Sequence, residues 1–257
     1  MKLGIIGTGN LGKPIIDRMI ENNIHIMASS RTPATYRGLE ITSDNSRLAK
    51  ESEIIILAVK PQSMDEVLEE IKDNVKDKLI ITFAAGLKIS YYEKRTGARI
   101  ARVMTNIAVR YGKGISAYTL SKTCTGQDNK EVEKILRCLG KSIRTEDENA
   151  LDVITGVSGS GIAYFIKIMD IFQKSAIQHG IEAKQAKTVI TQTVKGALAM
   201  MENTGQTNDK LIREVASKGG TTEQGLKELE EKEIEKILDG TIKRTIEKCR
   251  SIGDAYD

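Results

Sequence analysis

The chain has 257 residues, 40% hydrophobic and 29% charged, with a formal net charge of +4. That length can bury one large core or two modest ones, and the composition is ordinary for a soluble globular protein. Lys and Arg are interspersed with Asp and Glu, so there is no basic block of the kind a nucleic-acid surface needs. Cys124, Cys138 and Cys249 are scattered without a C-x-x-C pair, which argues against a disulfide framework and structural zinc. With only His25 and His179, a multi-histidine metal site is excluded, and no metal is expected. No apolar run approaches a membrane span, and Leu3–Ile6 runs into glycines rather than a signal-peptide core. The expectation is a cytoplasmic protein with no membrane segment.

Along the first 145 or so residues, short β-branched runs alternate with amphipathic stretches. Strands are predicted at Leu3–Ile6, Ile24–Ala28, Ile54–Val59, Leu79–Phe83 and Ile100–Met104, with helices at Lys13–Glu21, Ser46–Glu51, Gln62–Asn74 and Ile89–Arg95. Near-continuous apolar strands spaced by helices imply a parallel, doubly wound α/β sheet covered on both faces. Ile115–Leu120 and Lys141–Arg144 read as extra strands around a helix at Asn129–Leu139. The pattern changes near Thr145–Ala150. Beyond it helical periodicity dominates, at Ile162–His179, Ala183–Asn203, Asp209–Ala216 and Thr222–Ala255, the last with a break expected near Gly240. Gly180 and Gly205 fall just past two of these stretches, where helices commonly stop. The domains are therefore predicted as 1–148, binding a nucleotide, and 149–257, all-helical.

Strand Leu3–Ile6 leads directly into Gly7-Thr8-Gly9-Asn10-Leu11-Gly12 and then a helix, the context that gives a G-x-G-x-x-G fingerprint its meaning. Gly7 permits the tight turn, Gly9 lets a pyrophosphate approach, and Gly12 lets helix and strand pack. The helix N-terminus supplies free N–H groups for phosphate. At the end of the second strand stand Ser29, Ser30 and Arg31, with no Asp or Glu to grip a ribose 2′-hydroxyl. Serines and an arginine suit a 2′-phosphate, so NADPH is expected, with NADH the weaker alternative; Arg31 as a solvated loop residue is the plain reading. Ala58-Val59-Lys60 and Ala84-Ala85-Gly86 close two further strands where open α/β sheets bind ligands, and small residues at the second would admit nicotinamide. Lys60 reads equally as a solvated strand end. Asn106 either orients the nicotinamide amide or stabilises its turn.

Near the other terminus, Ser217-Lys218-Gly219-Gly220-Thr221-Thr222 forms a two-glycine turn opening a helix, a concavity of N–H groups that fits a carboxylate. Thr222 adds a hydroxyl able to donate a hydrogen bond or pass a proton. The structural alternative is N-capping, with Thr221 as the cap. Ser158-Gly159-Ser160-Gly161 reads as a second small-residue turn, better explained by packing than by a ligand.

Taken in order, these blocks, together with Ala58-Val59-Lys60-Pro61-Gln62, Arg102-Val103-Met104-Thr105-Asn106 and Thr155-Gly156-Val157 with Ala163-Tyr164, resemble the pyrroline-5-carboxylate reductase family over nearly the whole chain. The resemblance implies a Rossmann-like domain and a helical dimerisation domain interlocked in a homodimer, with rings of dimers as a further step. It implies NADPH-dependent reduction of 1-pyrroline-5-carboxylate, a small cyclic imino acid, to L-proline. By the same resemblance Ser217, Gly220 and Thr221 receive the substrate carboxylate, and Thr222 bonds the ring nitrogen as the catalytic group.

Three departures stand out: Lys218, Ile162 and Ala108 replace prolines of the family pattern, which removes rigidity from pocket-lining turns. They leave open a reductase of a related cyclic imine or carbonyl compound, or a catalytically silent NADP-binding regulator. A deazaflavin-linked NADP reductase shares the opening fingerprint but not the helical half. A β-hydroxyacid dehydrogenase shares the two-domain plan but offers no evident catalytic lysine here.

Overall fold

In the computed structural model, which describes residues 2–256, nine strands build one sheet: β1 (Leu3–Ile6), β2 (Ile26–Ser29), β3 (Ala34–Tyr36), β4 (Leu39–Thr42), β5 (Ile54–Leu57), β6 (Leu79–Thr82), β7 (Arg99–Met104), β8 (Gly114–Leu120) and β9 (Gly140–Arg144). Their spatial order is β3-β4-β2-β1-β5-β6-β7-β8-β9. The six strands from β4 through β7 in that order run parallel, whereas β3 joins β4 and β8 joins β7 antiparallel. The predicted parallel sheet is thus the centre of a mixed one.

Side-chain alternation explains why the strands look apolar throughout. Ile54 and Ile56 join one core with Ile15, Ile16 and Met19 of helix α1 (Gly12–Glu21) and Val132, Ile135 and Leu136 of α5 (Gly126–Leu139). Ile55 and Leu57 point the other way, into a core with α2 (Asn45–Glu51), α3 (Met64–Ile71) and α4 (Ile89–Thr96). A strand buried on both faces has no polar side to show.

The β3–β4 hairpin has no counterpart among the predicted strands. Its strands are short and only Ile41 is buried in them, so no alternation announces them. Arg37 and Gly38 both take positive φ (50° and 78°), the backbone that two-residue hairpins favour. Asp17 pins the hairpin to α1, accepting from the Tyr36 hydroxyl at 3.0 Å and from Arg37 at 3.1 Å. Burial, and then the bond to Asp17, push the Tyr36 hydroxyl above its usual pKa.

The chain divides into two compact units by its contacts: one reaches Ile162 and takes in the chain again from Ile242, the other spans Ala163–Thr241. Within the first, α6 (Ala150–Ile154) passes through a π-turn at Thr155–Gly159 into α7 (Gly161–Gln178). The stretch predicted as a turn at Ser158–Gly161 therefore stays helical. Glycines of the π-turn admit neighbours: a Cβ on Gly159 would lie 2.7 Å from Met104 Cε, and one on Gly156 would lie 3.1 Å from Ile246 Cγ1. Uninterrupted, residues 150–178 form one helix long and apolar enough by composition to cross a membrane, contrary to the expectation that no such stretch exists.

The last helix, α11 (Ile234–Asp254), ends inside the first unit. There Gly253 approaches Gly86 so closely that an added Cβ would lie 2.4 Å from the Gly86 carbonyl. Beside it Arg102, 4% exposed, donates to Glu148 at 3.0 Å and Asp152 at 2.8 Å. The Cys249 thiol, its pKa raised by burial, completes the group at 3.7 Å from Asp152.

The second unit holds most of α7, then α8 (Ala183–Thr204), α9 (Asn208–Val215), α10 (Thr221–Glu231) and the start of α11. The chain breaks between Glu231 and Ile234, where Glu233 takes φ 54°, and not at Gly240, which lies within α11. One glycine costs a helix only about 1 kcal/mol, less than its neighbours can supply. From Ala163 to Thr241 the buried apolar residues are Ala186 and Leu211, while Phe165, Ile166 and Phe172 are 67%, 61% and 57% exposed.

Candidate functional site

The carboxyl ends of β1, β2, β5 and β6 converge on two cavities that share Gly9, Ala58, Val59 and Lys60. The turn after β1 is built by local sterics. Gly7, at φ 104°, donates its N–H to the Ser29 carbonyl at 2.9 Å, and a Cβ there would meet Ala58 O at 2.8 Å. At Gly12 a Cβ would lie 1.9 Å from the Gly7 carbonyl, so only glycine lets α1 start so close to the turn. Gly9 has nothing within 4 Å of its Cβ position. It faces open space, as a ligand-approach position must.

The first cavity, about 370 Å³, also takes in Gly7, Thr8, Ser30 and Arg31. Ser30 both accepts from the Thr32 N–H at 3.2 Å and donates to the Thr32 carbonyl at 2.9 Å, which shapes the loop carrying Arg31. Among the described residues neither Arg31 nor Lys60 forms a side-chain hydrogen bond or ion pair, whereas Arg18, Arg47, Arg95, Arg99 and Arg102 all do. Two uncommitted cations over an open glycine turn and the first turn of a helix suit a phosphate-bearing ligand. The second cavity, about 450 Å³, adds Asn10, Leu11, Phe83, Ala84 and Ala85.

Three residues expected to hold a cofactor lie elsewhere. Ser29 is fully buried and donates to Asn45 Oδ1 at 2.5 Å. Gly86 packs on α11 rather than lining either cavity. Asn106 is buried, caps the short helix Ile107–Tyr111 and donates to Ser158 Oγ at 3.0 Å, which spends its amide on structure.

Conversely, Thr32, Asn45, Ser63, Glu66 and Glu70 line the first cavity but are not among the residues predicted for it. Asn45 depends on the unpredicted hairpin. Because β4 pairs parallel with β2, with Ser29 opposite Thr42, the chain leaving β4 emerges beside the end of β2. Asp44 then caps α2, accepting from the Arg47 N–H at 2.8 Å, and sets Asn45 at the cavity rim. The sequence signal is the cap itself, Asp44 ahead of a short apolar-periodic stretch.

In the second unit the turn at Ser217–Gly220 closes with the Gly220 N–H on the Ser217 carbonyl at 2.9 Å, and Gly219 takes φ 74°. Gly220 is the cap of α10, so Thr221 is not, and no side chain caps this helix at that position. The Gly219 N–H is held by Glu223 Oε2 at 2.7 Å. Thr221 and Thr222 therefore begin α10 with hydroxyls free of capping duty. Thr222 lines an apolar groove of about 420 Å³ with Met200, Met201, Leu211, Ile212 and Val215. Among the described residues no group of three or more His, Cys, Asp or Glu is arranged to hold a metal.

Residues 148–252 match the family described as pyrroline-5-carboxylate reductase dimerisation, and residues 2–86 match NADP oxidoreductase, coenzyme F420-dependent. The pyrroline-5-carboxylate reductase of Methanosarcina acetivorans is 32% identical over 265 residues, 98% of each chain. The chain belongs to the pyrroline-5-carboxylate reductase family. The reductase of Aquifex aeolicus is 31% identical over 261 residues, covering 98% of this chain and 97% of its own. Among solved structures, the Plasmodium falciparum pyrroline carboxylate reductase with NADP bound superposes with a TM-score of 0.92 at 28% identity, over 98% of each chain. The family's two-part plan, a Rossmann-like sheet domain and a helical dimerisation domain, is the plan of this chain.

Proposed function

We propose that this chain reduces 1-pyrroline-5-carboxylate to L-proline with NADPH, the last step of proline biosynthesis. The observation that carries the reading is the pair of joined cavities, with uncommitted Arg31 and Lys60 and an open Gly9, in a chain similar over its full length to named pyrroline-5-carboxylate reductases. When bound, NADPH supplies the hydride. Arg31 and Ser30 hold its 2′-phosphate, the Gly7–Gly12 turn and the start of α1 hold its pyrophosphate, and Ala84 and Ala85 leave room for its nicotinamide.

The turn at Ser217–Thr221 receives the substrate carboxylate. The Gly220 N–H is already engaged within the turn, so Ser217 Oγ and the first N–H groups of α10 carry most of that contact. Thr222 Oγ1 bonds the ring nitrogen and holds the proton there, which keeps the C=N carbon electrophilic. Hydride at carbon and a proton at nitrogen turn the imine into the pyrrolidine, and neither a nucleophile nor a metal is needed for that balance. The second unit's exposed Phe165, Ile166 and Phe172 are covered by a second copy, giving a homodimer that assembles further into a ring. Three free thiols, at Cys124, Cys138 and Cys249, suit a reducing cytoplasm.

The test follows NADPH oxidation with 1-pyrroline-5-carboxylate beside other cyclic imines and their carbonyl analogues. The expected result is the highest kcat/KM with 1-pyrroline-5-carboxylate. A higher value with another imine reassigns the substrate, for which exposed Lys218 beside the turn gives a physical reason. Cofactor binding without turnover on any of them makes the chain a silent NADP-binding protein.

A further inference from the structure

The lining of the first cavity combines two opposite chemistries. Ser30 and Arg31 give it donors and positive charge. From α3 it takes Glu66 and Glu70, one helical turn apart and therefore on one face. Glu70 is held in place. Asn45 Nδ2 donates to its Oε2 at 2.6 Å, and Asn45 is fixed in turn by the Ser29 hydroxyl from the buried end of β2. Among the described residues Glu70 Oε1 has no partner, and Glu66 has none at either oxygen.

Ionised carboxylates only accept hydrogen bonds. A ligand spanning this cavity must be anionic where it meets Arg31 and carry N–H donors where it meets α3. A 2′-phosphoadenosine has both poles, the phosphate and the exocyclic amine of the base. We propose that Glu70, positioned by Asn45, selects the adenine base of the cofactor by accepting a hydrogen bond from that amine, with Glu66 beside it. The assignment rests on the dinucleotide reading above and goes beyond it, because phosphate contacts cannot tell one base from another. A base with a carbonyl in place of the amine sets an acceptor against a carboxylate, and neither group then has a partner.

The experiment measures binding of adenosine 2′,5′-bisphosphate and inosine 2′,5′-bisphosphate to the full chain by isothermal titration calorimetry. The wild type should bind the adenine compound about tenfold more tightly, the size of one hydrogen bond to a charged group at a partly open site. In Glu70→Gln the ratio should fall to within about twofold, because an amide can turn to accept or donate. Arg31→Ala should weaken both ligands equally and leave the ratio alone. Equal binding by the wild type, or a ratio that Glu70→Gln leaves unchanged, overturns the assignment while the cofactor reading stands. Failure of the chain to bind either bisphosphate overturns both.

Discussion

The two units bury apolar surface in opposite ways. The sheet unit closes on itself, with cores on both faces and strands such as Ile54–Leu57 buried throughout. The helical unit buries Ala186 and Leu211 and leaves large side chains of α7, α8 and α9 in solvent. Large apolar side chains left in solvent in such number commonly mark an interaction surface. The lesson is a division of labour. The two cavities are lined within one unit of one chain, while the helical unit, which matches a dimerisation family, leaves its apolar faces uncovered.

The largest effect is expected from charging the helical face. Phe165 and Phe172 lie seven residues apart on one side of α7, and burying each is worth about 1.5–3 kcal/mol. The double variant Phe165→Asp, Phe172→Asp should weaken self-association at least about a hundredfold, by the usual factor of ten per 1.4 kcal/mol, run as a monomer in sedimentation and lose turnover. Its calorimetric affinity for NADPH should stay within about threefold, since that site lies in the sheet unit. A dimer with normal turnover removes the contrast between the units.

Next in size is Thr222→Ala, expected to lower kcat and kcat/KM together by about 10- to 100-fold, the value of a hydrogen bond to a charged group made in the transition state. Thr222→Ser should recover most of it, and unchanged kinetics in the alanine variant would remove Thr222 from catalysis. Arg31→Ala sharpens the comparison from the other side. NADPH affinity should fall about tenfold or more with NADH affinity unchanged, a loss confined to the 2′-phosphate contact. Equal losses for both cofactors would place Arg31 away from that phosphate.

The smallest functional effect is expected where the sheet unit alone is touched. Asp128 closes the capping box of α5 by accepting from the N–H of its cap residue Thr125 at 2.7 Å, and it pairs with Arg99 Nε at 2.9 Å and Nη2 at 3.1 Å. Burial works to raise its pKa, but the Thr125 bonds and Arg99 outweigh it and hold the carboxyl below the usual range. A depressed folded value means the stabilisation is complete above the unfolded pKa of about 3.9 and is lost as pH falls through the folded one. Asp128→Asn should therefore cost about 2 kcal/mol at neutral pH, seen as a lower Tm, and flatten the acid limb of the stability curve. Its kcat should remain within about twofold of wild type. A kcat loss would tie this corner of the sheet unit to the site.

The glycine turn is legible in the sequence because its glycines are spaced within six residues and Gly12 is required by the nearby Gly7 carbonyl. The same holds for Thr145–Ala150 as the point where strands give way to helices. Features set by distant neighbours are not legible in that way. Ser158–Gly161 looks like a turn in isolation, yet the chain from Thr155 stays helical where Met104 packs on Gly159 and Ile242 and Ile246 pack on Gly156. Gly240 looks like a break, yet the break lies at Glu233. Asn45 and Glu70 carry no motif, and Asn106 turns its side chain to Ser158.

The sheet-then-helix order, the glycine turn after β1 and the lack of an acidic residue at the end of β2 can all be read from the sequence. Each follows from periodicity or from backbone sterics over a few residues. Tertiary structure alone decided that β4 slips in beside β2 and carries Asn45 to the cavity, that α11 returns to seal Gly86, and which helical faces stay open. Those outcomes depend on which surfaces meet once the chain has folded, from thirteen residues apart for Ser29 and Thr42 to well over a hundred for Gly86 and Gly253, and no local pattern encodes a meeting of that kind.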